Sequence, residues 1–307
     1  MDAFRPRPEK IRSMVARGMT NFTGKATVSE SWRSLVSSQD IVGIKIISAP
    51  GANSGTRPAV VIAVIEQLID AGLPPKNVIV WDKQIEDLKA AGFAEFAKMY
   101  GFRLAGSLQE GWDEGNDEKS KPYDKPLIGN LVWGDHEFGQ KGEGIGRKSF
   151  LSKLVTREIT RIINITPLLN HNEAGVSGNL YSLALGSVDN TTRFESDPER
   201  LATAVPDIYS LPALADRVAL NIVDALICQY EGGERGLLHY STVLNQLRFS
   251  HDAVALDVLS LQDLERQRHR AEAPVVKPNL DLYNNAALIE LGVSDPKKIV
   301  VETFIIK

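Results

Sequence analysis

The sequence predicts an α/β fold: a mostly parallel or mixed sheet flanked by helices, in a single unit that is bilobed at most. Two observations carry that expectation. β-branched apolar runs of strand length alternate with longer segments punctuated as helices. No linker is polar and long enough to demand a domain boundary, and no internal repeat occurs. Residues 1–39 read as a helical or irregular N-terminal arm, and residues 40–307 as one α/β domain.

The elements follow in order. "DIVGIKII" (Asp40 to Ile47) is a strand buried on both faces. After the turn-rich "SAPGANSGTR", "PAVVIAVIEQLIDAG" is a helix, with Pro58 near its first position, Gly72 past its end and Pro74 beyond. "KNVIVWD" returns as a strand, closing a βαβ unit that is normally parallel and right-handed. "QIEDLKAAG" and "AEFAKMYG" are short helices and "FRLAGS" a third strand. Gln109 to Lys125 is polar and acidic and reads as a surface loop or lid.

"LIGNLVWGDHEFG" reads as strand and turn, while "KSFLSKLVTREITR" stays open between strand and helix. "RIINITPLL" is a buried strand, and "VSGNLYSLALG" a helix entered through glycine and ended by Gly186. The last third runs helix ("PDIYSLPALAD"), strand ("RVALNIVDALI"), strand ("STVLNQLRFS"), helix ("DAVALDVLSLQDLERQRHR"), helix ("NAALIELG") and strand ("KKIVVETFII").

With 43% hydrophobic and 24% charged residues and a net charge of −4, the chain offers no basic excess for nucleic acid or anionic lipid. No apolar run reaches the ~18 residues of a membrane span. Cys228 is the one cysteine; it reads as a small buried apolar residue, and no iron–sulfur cluster is expected. No signal peptide is visible, so the expected compartment is the cytoplasm, or the exterior if a leader has been removed.

"GQKGEGIGRKS" fails as a phosphate loop, because Arg147 separates Gly146 from Lys148; it reads as a flexible basic loop over a site, with Arg147 and Lys148 placed to close on an anionic ligand. The chemistry concentrates in "INITPLLNHNEAGVSGNLYSLALGSVDN". Pro167 holds Thr166 extended, and Gly175 and Gly178 permit the sharp turn that follows. His171 thereby stands at a strand end, placed for proton exchange or metal ligation. Glu173 is a candidate base, and Asn170 and Asn172 candidate substrate-orienting amides. The bland reading is a turn built of Asn residues with a structural histidine.

Further polar groups stand at other strand ends: Lys45, Asp82, Lys83, Asp189, Asn190, Asp224 and Glu231. Asp224 inside "NIVDALI" needs a partner to be buried. Asp252 in "SHDAVALD" reads as a helix N-cap. A shared hollow of His171, Asp189, Asp224 and Glu231 would satisfy Asp224 and bind a divalent cation, Asp189 and Glu231 serving as metal ligands. No zinc-like His pair and no G-x-S-x-G elbow occurs.

At these residues the chain resembles the domain-of-unknown-function 362 family, roughly from Val42 to Val301. The resemblance rests on "VGIKI", the "RPAVVIAVIEQLIDAG" helix with "VIVWDK", "INITPLLNHNEAGVSGNLYSLALGS", "LNIVDAL…YEGG" and "SHDAVALDVL", in that order. It implies kinship and this fold, but no settled reaction. Some relatives add a cluster-bearing ferredoxin-like domain or an export leader.

"HNEAGVSGNLY" is also similar to the H-x-x-A-G-x-S-G-G-x-K pattern of nickel-pincer lactate racemases, at His171, Ala174, Gly175, Ser177 and Gly178. Tyr181 stands at the cofactor-bearing lysine position and Asn179 at the second glycine, so only proton exchange by His171 is carried across.

The expectation is an enzyme on a small polar or anionic molecule, with catalytic His171, Glu173 and Asp224, and with Asn170, Asn172, Lys45, Lys83, Asn190 and Arg147 binding substrate. The cofactor is unnamed beyond a divalent metal. The alternative is a small-molecule or metal-binding protein using the same pocket without turnover. The oligomeric state stays open.

Overall fold

The computed structural model describes residues 4–125, 140, 145–233, 235–274 and 279–306. Seven strands form one sheet: β1 (Val42–Ile46), β2 (Val78–Asp82), β3 (Arg103–Gly106), β4 (Arg161–His171), β5 (Gly175–Val176), β6 (Val218–Gln229) and β7 (Ser241–Ser250). Their order is β3-β2-β1-β4-β6-β7, with the short β5 paired to β4. β1, β2, β3, β4 and β6 run parallel to their neighbours, whereas β5 and β7 are antiparallel additions. The chain therefore has the predicted α/β fold, with a mixed and mostly parallel sheet.

Among the described residues twelve α-helices accompany the sheet: α1 (Pro8–Thr23), α2 (Val28–Arg33), α3 (Gly51–Ser54), α4 (Pro58–Asp70), α5 (Ile85–Ala90), α6 (Phe93–Tyr100), α7 (Ser107–Glu110), α8 (Asn179–Ser187), α9 (Thr192–Glu195), α10 (Pro198–Tyr209), α11 (Ala253–Arg270) and α12 (Leu280–Leu288). One face of the sheet packs on α1, α2, α4, α5 and α6, through Met19, Trp32, Val64 and Phe93. The other packs on α8, α10, α11 and α12, through Leu183, Val205, Leu264 and Tyr283. Each fully buried Val, Leu, Ile or Phe contributes about 1.5–3 kcal/mol, so two such clusters account for a sheet buried on both sides.

β1 shows how sequence meets position. Val42, Ile44 and Ile46 join the α4 cluster, which leaves Gly43 and Lys45 on the opposite face by the two-residue period of a strand. A Cβ on Gly43 would lie 2.5 Å from Ile159 Cδ1, so only glycine lets that side chain pack. The helix starts are built as the residues predict: Pro58 opens α4, and Asp252 caps α11 by accepting from Ala255 N at 2.8 Å. Cys228 is buried, and its thiol is pushed up to about 12.

Other expectations take a more definite form. The N-terminal stretch is helical, as α1 and α2, and its Ile11, Val15, Met19 and Trp32 are buried in the α4 cluster because those helices cover that face. "KSFLSKLVTREITR", left open between strand and helix, holds a π-helix at Leu154–Glu158. Gln109 to Lys125 is strapped down rather than free, through bridges Trp112↔Ser152 and Tyr123↔Ser149 and through Arg193 donating to Tyr123 O. "KKIVVETFII" forms no strand: after a 3-10 turn at Pro296–Lys298, residues 299–306 have no regular secondary structure. "LIGNLVWGDHEFG", with His136, lies outside the described residues, as does much of "GQKGEGIGRKS".

Gly186 does not end α8; the helix runs on to Ser187. The glycine instead admits Lys45, whose Cε would sit 2.2 Å from an added Cβ. Gly186→Ala is therefore expected to cost about 1–3 kcal/mol through overpacking against Lys45, read by urea unfolding. Unchanged stability would show that the lysine has room to move aside.

Candidate functional site

The order β3-β2-β1-β4-β6 reverses direction at β1. Such switch points open a crevice at the carboxyl ends of the two strands that flank them, here β1 and β4. Two connections meet there, residues 47–57 after β1 and residues 230–233 with 235–240 after β6, beside the end of β4. Asn170 at the end of β4 accepts from Gly233 N at 3.0 Å. A Cβ on Gly236 would lie 3.0 Å from Pro50 O and 3.7 Å from Ser54 Oγ, so the β6 loop closes over the β1 loop.

The polar positions along this edge are served by the chain's own carboxylates. Asp82, at the end of β2, accepts from Ser48 N and Ser48 Oγ, both at 2.7 Å, and from Lys45 Nζ at 2.8 Å. Lys45 is 1% exposed and also donates to Ile46 O and Ser182 Oγ. Asp224, fully buried in β6, accepts from Arg57 N at 3.0 Å and pairs with Arg57 Nη1 at 3.0 Å. Asp257 of α11 sits at the start of α8, accepting from Asn179 N at 2.7 Å, Asn179 Nδ2 at 3.0 Å and Leu180 N at 2.9 Å. Gly178 makes that approach feasible, since a Cβ there would stand 2.4 Å from the Asp257 carboxylate. The N-terminus of α8, an attractive place for an anion, thus holds an internal one. Burial pushes Asp257 up to about 7 against the pull of those three N–H donors.

His171 closes its own turn. Its Nδ1 accepts from Glu173 N at 3.2 Å and Ala174 N at 3.0 Å, which leaves the ring proton on Nε2. The ring packs on Tyr181 with centroids 4.3 Å apart, and Tyr181 donates to Glu195 Oε1 at 2.9 Å. Burial pushes the imidazole down to about 4, partly opposed by the charge of Glu195. His171 is therefore neutral near pH 7, a fixed N–H donor whose other nitrogen is occupied. The turn itself is held by Tyr283, which donates to Ala174 O, and by Asn279, which donates to Glu173 O. Asn170 Nδ2 reaches Asn172 Oδ1 at 3.4 Å, and Asn172 is exposed.

The remaining expected residues are dispersed among local partners. Asp189 accepts from Phe150 N at 2.6 Å, and Asn190 (φ 50°) donates to Gly146 O and Lys148 O, tying the 146–150 segment down. Lys83 donates to Leu185 O and Val188 O, and Glu231 pairs with Arg268 at 3.1 Å. Arg147 is exposed. The expected metal hollow of His171, Asp189, Asp224 and Glu231 is not formed: among the described residues no group of three or more His, Cys, Asp or Glu side chains stands together to hold a metal ion. The reason is that nearer guanidinium and backbone N–H groups neutralise each carboxylate first.

Sequence reasoning passed over Ser54 and Arg57. Both are buried, yet Ser54 Oγ and Arg57 Nε have no hydrogen-bond partner among the described residues. Thr166 Oγ1 and Ser177 Oγ, near the end of β4, are buried and unpartnered as well. "SGTRP" carried a faint sign of this, an arginine directly before a helix-opening proline at a strand-end loop. No helix among the described residues is long and apolar enough to cross a membrane.

No family model matches the chain, and no curated protein does. A crystal structure of a Thermotoga maritima protein, a target of the Northeast Structural Genomics Consortium, is similar at 10% identity with a TM-score of 0.46. The match covers 89% of this chain and 61% of that one, so the chain spans less than two thirds of its neighbour.

Proposed function

We propose that this protein binds a small polar or anionic molecule in the crevice between β1 and β4. The observation that carries the reading is the pair of buried donors in the β1 loop, Ser54 Oγ and Arg57 Nε, that have no acceptor among the described residues. Buried polar groups are almost always satisfied, and an orphan donor costs about 1–3 kcal/mol unless a ligand or water completes it. Arg57 also brings charge to the crevice: its Nη1 stands 3.0 Å from Asp224 and its Nη2 donates to Asn53 O, which leaves Nε.

Within this proposal His171 supplies an oriented Nε2–H rather than a proton shuttle, since an imidazole pushed down to about 4 is a poor base and a poor acid near neutrality. If turnover occurs, that N–H stabilises charge developing on the substrate. Kinship with the domain-of-unknown-function 362 family belongs to the same proposal and rests on the order of the five sequence motifs.

Titration with inorganic phosphate, acetate and lactate, followed by melting temperature, tests the reading. At least one of these anions is expected to raise the melting temperature of the native chain, and Ser54→Ala and Arg57→Lys are each expected to weaken that response. No response to any of them, or a response that both variants retain in full, would sink the proposal. Ser54→Ala removes only an unpartnered hydroxyl, so its folding is not at risk.

A further inference from the structure

The loop between β1 and α4 stands where an α/β sheet commonly cradles a phosphate, at the switch point and just ahead of a helix. Such a cradle is made of free backbone N–H groups. Here they are taken. Gly51 N donates to Ser48 O, Gly55 N to Gly51 O and Thr56 N to Ile47 O, each at 2.8 Å. Ser48 N donates to Asp82 Oδ2 at 2.7 Å, Ile47 N to Thr56 Oγ1 at 3.1 Å, and Arg57 N to Asp224 Oδ2 at 3.0 Å. Pro50 and Pro58 have no N–H. Because Pro58 opens α4 and the N–H before it meets Asp224, the start of that helix already faces an internal anion.

What remains for a ligand is narrow. Arg57 Nη2 donates to Asn53 O at 2.8 Å, which lays the guanidinium along the short turn that carries Ser54. Arg57 Nη1 stands 3.0 Å from Asp224 Oδ1 but out of line for a hydrogen bond. Ser54 Oγ and Arg57 Nε have no partner among the described residues. The two oxygens of a carboxylate can take one of these donors each. A phosphoryl group brings three strong acceptor oxygens, and the third would have only the Nη1 already held beside Asp224.

The charges agree with the donors. Arg57 is balanced by Asp224, and Lys45 by Asp82 at 2.8 Å. Arg235, on the β6 loop, is exposed, where water and salt screen it. A bound carboxylate thus leaves one uncompensated negative charge at a buried site, and a phosphate dianion leaves two. The solvation lost on burial grows as the square of the charge, so the second charge is by far the more costly.

On the footing that the crevice binds as proposed above, we infer that Ser54 and Arg57 hold the carboxylate of a small monoanion, and that Asp224 turns dianions away. Asp224 acts in two ways: it occupies the N–H at the start of α4, and it cancels the guanidinium.

Melting temperatures with sodium acetate and with inorganic phosphate test the selectivity, at equal ionic strength and about pH 8, where phosphate is mostly the dianion. Phosphate also stabilises proteins without binding them, so the quantity that counts is the part of each shift that Ser54→Ala loses. For acetate, Ser54→Ala is expected to weaken the apparent affinity about tenfold, the effect of one hydrogen bond to a charged group. For phosphate, the native chain and Ser54→Ala are expected to respond alike. Asp224→Asn keeps an acceptor for Arg57 N and removes the charge, so it is expected to raise the affinity for phosphate relative to acetate at least tenfold.

A phosphate shift as sensitive to Ser54→Ala as the acetate shift would overturn the inference and leave the crevice a binding site. An Asp224→Asn protein that folds and keeps the native preference would remove Asp224 from its role. The comparison in the native chain decides whether or not Asp224→Asn folds. If neither shift depends on Ser54, the crevice does not bind through this residue, and the inference falls together with the site.

Discussion

Asp224→Ala is expected to lower the unfolding free energy by about 3–5 kcal/mol, because it strands a buried guanidinium. Asp224 is fully buried and Arg57 is 3% exposed; the carboxylate accepts from the Arg57 backbone N–H and forms an ion pair with its Nη1. Removing it leaves a cation inside the protein and an orphan N–H where α4 begins. The double variant Arg57→Met with Asp224→Leu is expected to recover most of the loss, since two apolar groups of similar volume need no neutralisation. Urea unfolding of the two single variants and the double variant measures this. If Asp224→Ala costs less than about 1 kcal/mol, the level of an exposed pair, the pair is not sealed from water and the description of the crevice floor is wrong.

Asp257→Ala is expected to cost about 3–4 kcal/mol, through the loss of a helix cap and of the acceptor for three buried N–H groups. The same residue sets a pH signature. Its carboxyl is pushed up to about 7 in the fold, against ~3.9 in an unfolded chain. The native state then holds the extra proton between those values, so this contribution to stability is complete below about pH 4 and lost as pH rises through about 7. His171 slopes the other way. It is pushed down to about 4 in the fold against ~6.5 unfolded, so its contribution is present above about pH 6.5 and lost as pH falls to about 4.

Melting temperatures of the native chain and of Asp257→Asn, taken from pH 4 to pH 8, separate the two. The variant is expected to lose the decline between pH 4 and 7 and keep the rise due to His171. An unchanged profile would mean that Asp257 stays ionised throughout, held so by Asn179 and Leu180.

Much of the fold was legible because its signals are local. The 3.6-residue stripe of α4, Pro58 at its start, and the β-branched runs of β1, β2, β4 and β6 depend on near neighbours in the chain, and those elements stand where the residues predict them. Asp252 capping α11 is of the same kind. Two local readings failed for nonlocal reasons. Gly186 looked like a helix end but serves a lysine from β1, more than a hundred residues away. "IVVETFII" has the composition of a strand but forms no strand pairing among the described residues.

The candidate site was legible only as an inventory. Asn170, His171 and Glu231 do stand at or just past strand ends, whereas Asp224 lies in the middle of β6 and Asp189 follows α8. Which cation or N–H each of them meets was not readable, because Arg57, Phe150 N and Arg268 come from distant segments.

By itself, then, the amino-acid order determined the element types, the strand directions of the first βαβ unit and the polar crowding at strand ends. Secondary structure follows from backbone sterics and the spacing of apolar residues, both short-range. Only the tertiary structure decided that Asp224 answers to Arg57, that Asp257 fills the start of α8, and that His171 is a neutral donor. Electrostatic pairing and desolvation fall off over a few ångströms of space and are indifferent to distance along the chain.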